Sequence, residues 1–372
     1  MTEQTPWYQI TDIAQLDSPA LVVFPDRVRQ NIDYLIGAID DASRLRPHVK
    51  THKTREATQM MLAAGIQKFK CATIAEAEML AMVGAPDVLL AYQPVGTKQH
   101  RFLELIATYP ATLFACLVDN LTTAQQLSEG AVGAGVVVPV YIDLNVGMNR
   151  TGTFPDNQIP ALYEALSQLP GVKPVGLHAY DGHIRHPDLA ERTVACDAAF
   201  APVKQLADTL AAMGFDKPII VAGGSPTFPI HARRADVECS PGTFIYWDYG
   251  YGTILSEQPF LHGALVITRV ISLPDDTKLC LDLGHKSIAA ESELGQRVRF
   301  LNAPELRPVG QSEEHLVVEA GAGHSYKVGD VLYGLPNHIC PTCALYERAF
   351  TIESGLVSGE WRAIARDRFI HH

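Results

Sequence analysis

Leu45-Arg46-Pro47-His48-Val49-Lys50-Thr51-His52-Lys53 reads as a short strand that ends in a lysine, held among prolines, histidines and other cations. Strands favour β-branched and aromatic residues, so a lysine at the end of a buried strand is unusual. Burial and the neighbouring Arg46, His48 and Lys53 would both disfavour its charged form. A neutral amine can attack a carbonyl, which is how Schiff bases form. The alternative is a solvated basic turn on the way into the next helix. The flanking chain decides between the two, because a strand here is one of a series.

Upstream, Ser18 to Phe24 is a short apolar run, read as a buried strand. Pro25-Asp26 opens a helix through about Ile39, with Val28, Ile32, Leu35 and Ile39 on one face. Downstream, Thr54 caps a helix that Gly65 stops. Strands then fall at Lys68–Thr73, Asp87–Gln93, Thr112–Val118, Val136–Leu144, Val172–His178 and Pro218–Ala222. Helical segments separate them, ending in a long one from Leu189 to Met213. The strands are continuous and apolar, as parallel strands buried on both faces are. About eight such alternations with no point of reversal favour a (β/α)8 barrel over an open doubly wound sheet. Chemistry then belongs at the strand C-terminal ends, where Lys50, Asp143, His178, Tyr180 and Gly223 fall.

From about Gln258 the rhythm changes to strand-like runs separated by Gly, Pro and Asp turns. The fold class is thus α/β plus β. A barrel spans residues 18–255 and a mostly-β domain spans 256–372, with residues 1–17 free to pack on the latter. A hydrophobic fraction of 47% and a charged fraction of 19% allow a large core. A net charge of −11 argues against non-specific nucleic-acid binding. The opening MTEQTPWYQI is not a signal peptide pattern, and no apolar run is long enough to span a membrane. Seven scattered cysteines fit reduced thiols in a cytoplasm.

Four constellations could carry chemistry. Gly223-Gly224-Ser225-Pro226-Thr227 follows a strand, and its amides and hydroxyls could cup a phosphate; Gly242 and Thr243 could supply a second wall. A tight turn that needs small residues is the plainer alternative. Asp143 to Gly152 is a polar cluster at a strand end, in which Arg150 could hold an oxyanion or sit exposed on a loop. In Gly176 to His183 a strand would send His178 and Tyr180 to one side, either into a pocket or into a core. His338 and Cys340, at i and i+2, would share one side of an extended strand and could bind one cation, with Cys343 a conceivable third ligand. Imidazole plus thiolate suits zinc best, and chance proximity is the plainer account.

Together these segments resemble the fold-type III pyridoxal-phosphate enzymes, in the branch of D-threonine aldolase and eukaryotic-type D-serine dehydratase. The most specific parts are Arg46 to Lys53 and Pro336-Asn337-His338-Ile339-Cys340-Pro341-Thr342. The resemblance implies an alanine-racemase-like TIM barrel with a C-terminal β domain. It also implies pyridoxal 5′-phosphate held by Lys50, with Gly223, Gly224, Ser225, Thr227, Gly242 and Thr243 at its phosphate. Arg150 matches the arginine near the phenolic oxygen, and Tyr180 is the candidate for the ring. His338 and Cys340 match the metal pair, implying Zn2+, with Mn2+ or Mg2+ as alternatives. His-x-Cys leans towards a dehydratase that yields a 2-keto acid and ammonia. The alternatives are retro-aldol cleavage to glycine and an aldehyde, a racemase, or a non-catalytic cofactor-binding protein. Besides Lys50, His52 and His183 are candidate bases. The implied substrate is a D-3-hydroxy amino acid, and the implied assembly is a homodimer. His285 and the Tyr249-Gly250-Tyr251 stretch depart from the pattern and leave the subclass open.

Overall fold

The computed structural model describes residues 6–372. The chain divides into two compact units. One is made of Asp33–Lys50, Thr58–Gly242 and Ile364–His372, and the other of the segment up to Ile32, Thr51–Ala57 and Thr243–Ala363.

In chain order the first strand and helix are β1 (Ala20–Val23) and α1 (Pro25–Gly37). Seven strands follow: β2 (Lys68–Cys71), β3 (Asp87–Leu90), β4 (Leu113–Val118), β5 (Val138–Leu144), β6 (Val172–Ala179), β7 (Ile219–Ala222) and β8 (Val237–Cys239). They pair in parallel in that order. The helices around them are α2 (Arg55–Ala63), α3 (Ile74–Met82), α4 (Thr97–Thr108), α5 (Leu121–Gly133), α6 (Ile159–Ser167), α7 (Leu189–Ala212) and the short α8 (Phe228–His231). Local chemistry sets where they start. Thr73 accepts from the Glu76 amide, one of the orphan donors of α3, while Glu76 reaches back to the Ala72 amide just before the cap.

The stretch Leu45–Lys53 closes this barrel. Leu45 bridges Cys239 of β8, and His48 bridges Lys70 of β2. Arg46 donates its amide to Cys239, His48 to Pro241 and Val49 to Lys70, and Lys70 donates to the Pro47 carbonyl. It is not the continuous strand read from the sequence. Pro47 has no N–H to give a ladder, so the pairing breaks into single bridges, and Lys50 lies in the turn just beyond. Arg46, one of the cations read as acting on Lys50, is buried in a polar network. Its Nε donates to Glu238 at 2.7 Å and its Nη1 to Asp87 at 2.6 Å. Asp87 opens β3 and Lys68, which also reaches Glu238, opens β2, so this network plugs the N-terminal end of the barrel. Above it Leu89, Ala115, Leu117, Tyr141 and Val221 fill the interior.

The second unit is built on a nine-stranded sheet. Here β1 pairs antiparallel with β9 (Ala264–Ser272). Along the sheet come β10 (Lys278–Leu281), β11 (Val298–Phe300), β12 (Arg307–Gln311), β13 (Leu316–Glu319), β14 (Val331–Pro336), β15 (Arg348–Glu353) and β16 (Leu356–Arg362). The run Ser18–Phe24, read as the first barrel strand, thus belongs to this sheet. Ile10 and Leu16 pack on it, in a core with Val22, Leu265, Ile267 and Leu335. Two short helices complete the unit, α9 (Tyr249–Ile254) and α10 (Ile339–Cys343). Among the described residues no helix is long and apolar enough to cross a membrane.

Candidate active site

The C-terminal ends of the barrel strands surround a cavity of about 510 Å³, lined among others by Lys50, Lys70, Asp143, Arg150, His178 and Tyr180. That volume is in the range of small-ligand and cofactor pockets. Register explains the grouping. Asp143 of β5 and His178 of β6 are direct partners in the parallel ladder, so their side chains leave the sheet on one face. Tyr180 follows two residues later, and the expectation that it shares a side with His178 holds. Its ring gathers three cations: Arg150 with Cζ 4.9 Å from the ring centroid, Lys70 Nζ at 5.7 Å and Lys50 Nζ at 5.9 Å. Such rings attract cations through their negative faces.

His178 donates from Nδ1 to Asp143 at 2.7 Å, which leaves Nε2 facing Lys70 Nζ at 3.4 Å. Burial drives the His178 pKa down although Asp143 opposes it. For Asp143 burial is the largest single influence and would raise the pKa, but the His178 hydrogen bond and charge, the Thr151 hydrogen bond and the charge of Lys70 together outweigh it and lower the pKa. Lys70 is pushed down to about 7, first by burial and then by the charge of Lys50. Nothing in the sequence reading singled out Lys70. The available signal was a pair of lysines, Lys68 and Lys70, inside a strand whose neighbours are buried on both faces.

The glycine turn after β7 lies in the same unit. Gly223 has φ +78°, and a Cβ there would stand 2.7 Å from His231 Cδ2. Gly224 is close-packed too, its would-be Cβ 3.2 Å from Tyr180. Thr227 Oγ1 accepts from the Gly224 amide at 3.3 Å and donates to Asp181 at 2.8 Å. Ser225 Oγ accepts from the Gly242 amide at 3.2 Å, which ties the two glycine segments together. The buried Ser240 hydroxyl has no partner among the described residues. The amides of Gly223, Gly224 and Gly242 already donate to Ala179, Thr227 and Ser225, so what the turn offers a phosphate monoester is close backbone approach and the unsatisfied Ser240 hydroxyl. Thr243 is counted with the other unit, where its Oγ1 lies 3.7 Å from Cys340 Sγ.

Behind the turn Asp181, Cys196 and His231 form the one cluster of three metal-type donors among the described residues. Their donors are already engaged. His231 accepts from Arg234 at Nδ1 and therefore donates from Nε2 to Asp181 at 2.9 Å. Burial, then Asp181, pushes the Cys196 thiol up to about 12, so it is no thiolate. The group braces Thr227 and does not match a metal site.

His338 and Cys340 are not on an extended strand as the sequence suggested. His338 is the extended residue before α10, and Cys340 lies within that helix. They still meet, because a helix starting between them swings Cys340 round to His338, whose imidazole bonds its sulfur. Burial lowers the His338 pKa, but Cys340, Asp248 and Glu291 outweigh it and raise it to about 9. Glu291 Oε1 accepts from His338 Nδ1 at 2.5 Å, so Nε2 is the nitrogen a metal would take. Cys340 Sγ also lies 3.1 Å from Thr51 Oγ1. Imidazole, sulfur and an orienting carboxylate suit zinc. Cys343 is buried, and burial pushes its thiol well above the ordinary range. Glu291 was missed, being 47 residues away with no motif around it.

The two candidate bases fare differently. His52 is buried, accepts from the Thr54 amide at Nδ1, and is driven down to about 3 by burial, so its ring is neutral near pH 7 with the proton on Nε2. His183 is exposed, its ring lying over Gly147.

Residues 23–250 match the family described as alanine racemase, N-terminal domain, and residues 263–352 a putative serine dehydratase domain. The chain is similar to a D-threonine aldolase of an Arthrobacter species, 29% identical over 360 residues that cover 95% of this chain and 94% of the relative. It is similar to a D-threo-3-hydroxyaspartate dehydratase of a Delftia species, 25% identical over 359 residues, 89% of this chain and 93% of the relative. Among solved structures it is similar to D-threonine aldolase from Filomicrobium marinum, with a TM-score of 0.88 and 26% identity over 95% of this chain and 97% of that one.

Proposed function

Because the chain belongs to the alanine racemase N-terminal domain family and continues into a serine dehydratase domain, we propose that it is a pyridoxal-phosphate-dependent lyase of D-3-hydroxy amino acids. The observation that carries this is the convergence of Lys50 and Arg150 on the Tyr180 ring in the barrel-end cavity, in the unit that also holds the glycine turn.

In this proposal Lys50 Nζ holds the cofactor covalently. Arg150 balances the phenolic oxygen, and Tyr180 packs on the ring. The turn of Gly223, Gly224, Ser225 and Thr227, tied to Gly242, takes the phosphate. His338 and Cys340 hold the metal, and the soft sulfur ligand points to zinc. When bound, the cofactor supplies an electron sink at the substrate's α-carbon and the metal a Lewis acid at its β-hydroxyl. The chain's own contribution is orientation and proton handling. Lys50 Nζ is the base for the α-proton. Asp143 fixes the tautomer of His178, and Glu291 that of His338.

The His338–Cys340 pair favours β-elimination, in which hydroxide leaves and a 2-keto acid and ammonia result. The similarity to an Arthrobacter D-threonine aldolase supports a second outcome, retro-aldol cleavage to glycine and an aldehyde. A racemase leaves the metal pair without a role, and a cofactor carrier leaves the whole β unit without one. Product identification decides. The purified protein is incubated with D-serine, D-threonine and D-3-hydroxyaspartate, with and without a chelator. Keto acid plus ammonia, lost on chelation and restored by zinc, is the expected result. Inertness towards all three with cofactor bound would sink the proposal. Borohydride trapping and peptide mapping should place the adduct on Lys50. The assembly we infer is a homodimer, tested by sedimentation. The location we infer is cytoplasmic, in keeping with seven free cysteines.

A further inference from the structure

Asp248 is a buried carboxylate, 3% exposed, at the residue before α9. A buried carboxylate ordinarily pairs with a cation or collects hydrogen bonds. Asp248 divides its oxygens between two elements. Oδ1 accepts from the Tyr251 amide at 2.9 Å and so caps α9. Oδ2 accepts from the Ile339 amide at 3.1 Å, the first amide of α10. Ile339 is the residue between His338 and Cys340. Two residues beyond Asp248, the Gly250 amide donates to the Asn337 carbonyl at 3.0 Å, and a Cβ on Gly250 would stand 2.6 Å from that oxygen. The Tyr249-Gly250-Tyr251 stretch, which departs from the family pattern in sequence, thus lies in a segment bonded to the chain on both sides of His338. From another direction the Asn337 amide donates to the Arg297 carbonyl at 3.0 Å, and its side chain donates to Ser292 at 3.1 Å.

The approach to Asp248 is strained. Trp247 has φ +45°, a left-handed conformation that a bulky residue rarely adopts. Such residues persist only where the surroundings hold them, and they gather at functional sites. The Trp247 amide donates to the Thr243 carbonyl at 2.7 Å, its carbonyl accepts from His262 Nδ1 at 2.6 Å, and its ring packs on Phe260. An ordinary helix cap forms without a left-handed residue ahead of it. What accompanies the turn at Trp247 is the direction of Asp248, whose carboxylate faces α10 as well as α9.

We propose that Asp248 and Gly250 are positioning residues of the metal pair. They fix the backbone after and before His338, so that imidazole and Cys340 sulfur stand together before a cation binds. Glu291 then sets the ring. Ligands that are already placed lose less freedom when they take a cation, and so hold it more tightly. Asp248 acts through the backbone, its two oxygens being turned to amides. The inference rests on His338 and Cys340 being the metal pair.

The test uses the whole chain. Zinc affinity is measured by competition with a chelating dye, and cobalt(II) in its place is followed by the sulfur-to-cobalt absorption band. His338→Ala establishes the pair and should abolish both signals. Gly250→Ala sets a methyl against the Asn337 carbonyl, although alanine favours a helix more than glycine does. It should weaken zinc about 10- to 100-fold, the effect of losing a group that orients a ligand, and shift the cobalt band. Asp248→Asn keeps an oxygen for the α9 cap, which asparagine serves as well as aspartate, and turns an amide nitrogen towards the Ile339 N–H. It should weaken zinc by a similar factor. Asp282→Asn controls for general loosening, because Asp282 accepts from the Arg269 amide at 2.8 Å in the same unit. Its zinc affinity and cobalt band should be those of the wild type. Wild-type zinc affinity in Gly250→Ala or Asp248→Asn overturns the proposal, as does an equal loss in Asp282→Asn. Zinc retained in His338→Ala refutes the metal reading of the pair itself. Zinc lost in His338→Ala but kept in the other two variants refutes the positioning role alone.

Discussion

Replacing Gly223 by alanine tests the phosphate turn with a magnitude that can be worked from the structure. Gly223 has φ +78°, where an L-residue costs roughly 1–2 kcal/mol. The added Cβ would stand 2.7 Å from His231 Cδ2 and 2.9 Å from Thr227 Oγ1. Neither neighbour is a flexible end. His231 is held by Asp181 and Arg234 and lies edge-on to Phe200, and Thr227 is tied to Asp181. Relief therefore breaks at least one buried hydrogen bond, at about 1–3 kcal/mol. The two parts separate by assay. The φ strain is present with or without ligand, so it appears in urea unfolding of the apoprotein, where the total loss should be roughly 2–5 kcal/mol. Displacing Thr227 loosens the Gly224 amide, worth about 0.5–1.5 kcal/mol, so the cofactor Kd should weaken about 2- to 12-fold. Gly224→Ala is the control. It has no positive φ, and its Cβ meets the half-buried Tyr180 ring at 3.2 Å, which can yield. Its unfolding free energy should change by less than about 1 kcal/mol. Equal losses in the two variants, or an unchanged Kd in Gly223→Ala, would refute the reasoning.

Arg46→Met strips Glu238 and Asp87 of their buried partner at the closed end of the barrel. It should destabilise the protein by about 3–5 kcal/mol in urea unfolding and leave the product unchanged. Glu291→Gln removes the carboxylate that orients His338, and zinc affinity measured against a chelating dye should fall about 10- to 100-fold. Lys70→Met should change how stability depends on pH. The folded pKa of Lys70 is depressed, so between about 7 and its ordinary 10.5 the unfolded chain binds a proton that the folded chain does not. Wild-type stability gains from this group as pH rises through that window, by about 5 kcal/mol. The methionine variant should be more stable near pH 7 and lose that slope; an unaltered slope would mean that Lys70 is charged in the folded state.

Much of this was legible because it is periodic. Parallel strands buried on both faces have to be continuous apolar runs, and β2 to β7 announced themselves that way. Elements without periodicity were lost. The strand β8 is only three residues long, and β12 carries Pro308 and Gly310, where its pairing slips. The run Ser18–Phe24 was legible as a strand but not as a member of the second sheet, because four apolar residues do not say which sheet they join. Among the site residues, those within one short motif could be grouped by eye. Asp143 and His178 required a register, which no single strand carries.

The same limit explains why the sequence pointed at Lys50 and passed over Lys70. In sequence the cations beside Lys50 are Arg46, His48 and Lys53. In the fold Arg46 is neutralised by Asp87 and Glu238 at the far end of the barrel. Lys70 feels the charge of Lys50, 20 residues earlier in the chain and lining the same cavity, more than that of Arg46. Charge repulsion decays with distance in space, and a barrel closes by placing its first segment beside its second. Two lysines at successive barrel positions therefore repel across a shared cavity that adjacency in sequence cannot reveal. The physical principle behind the opening inference was sound, and the closing of the barrel determined which amine it applied to.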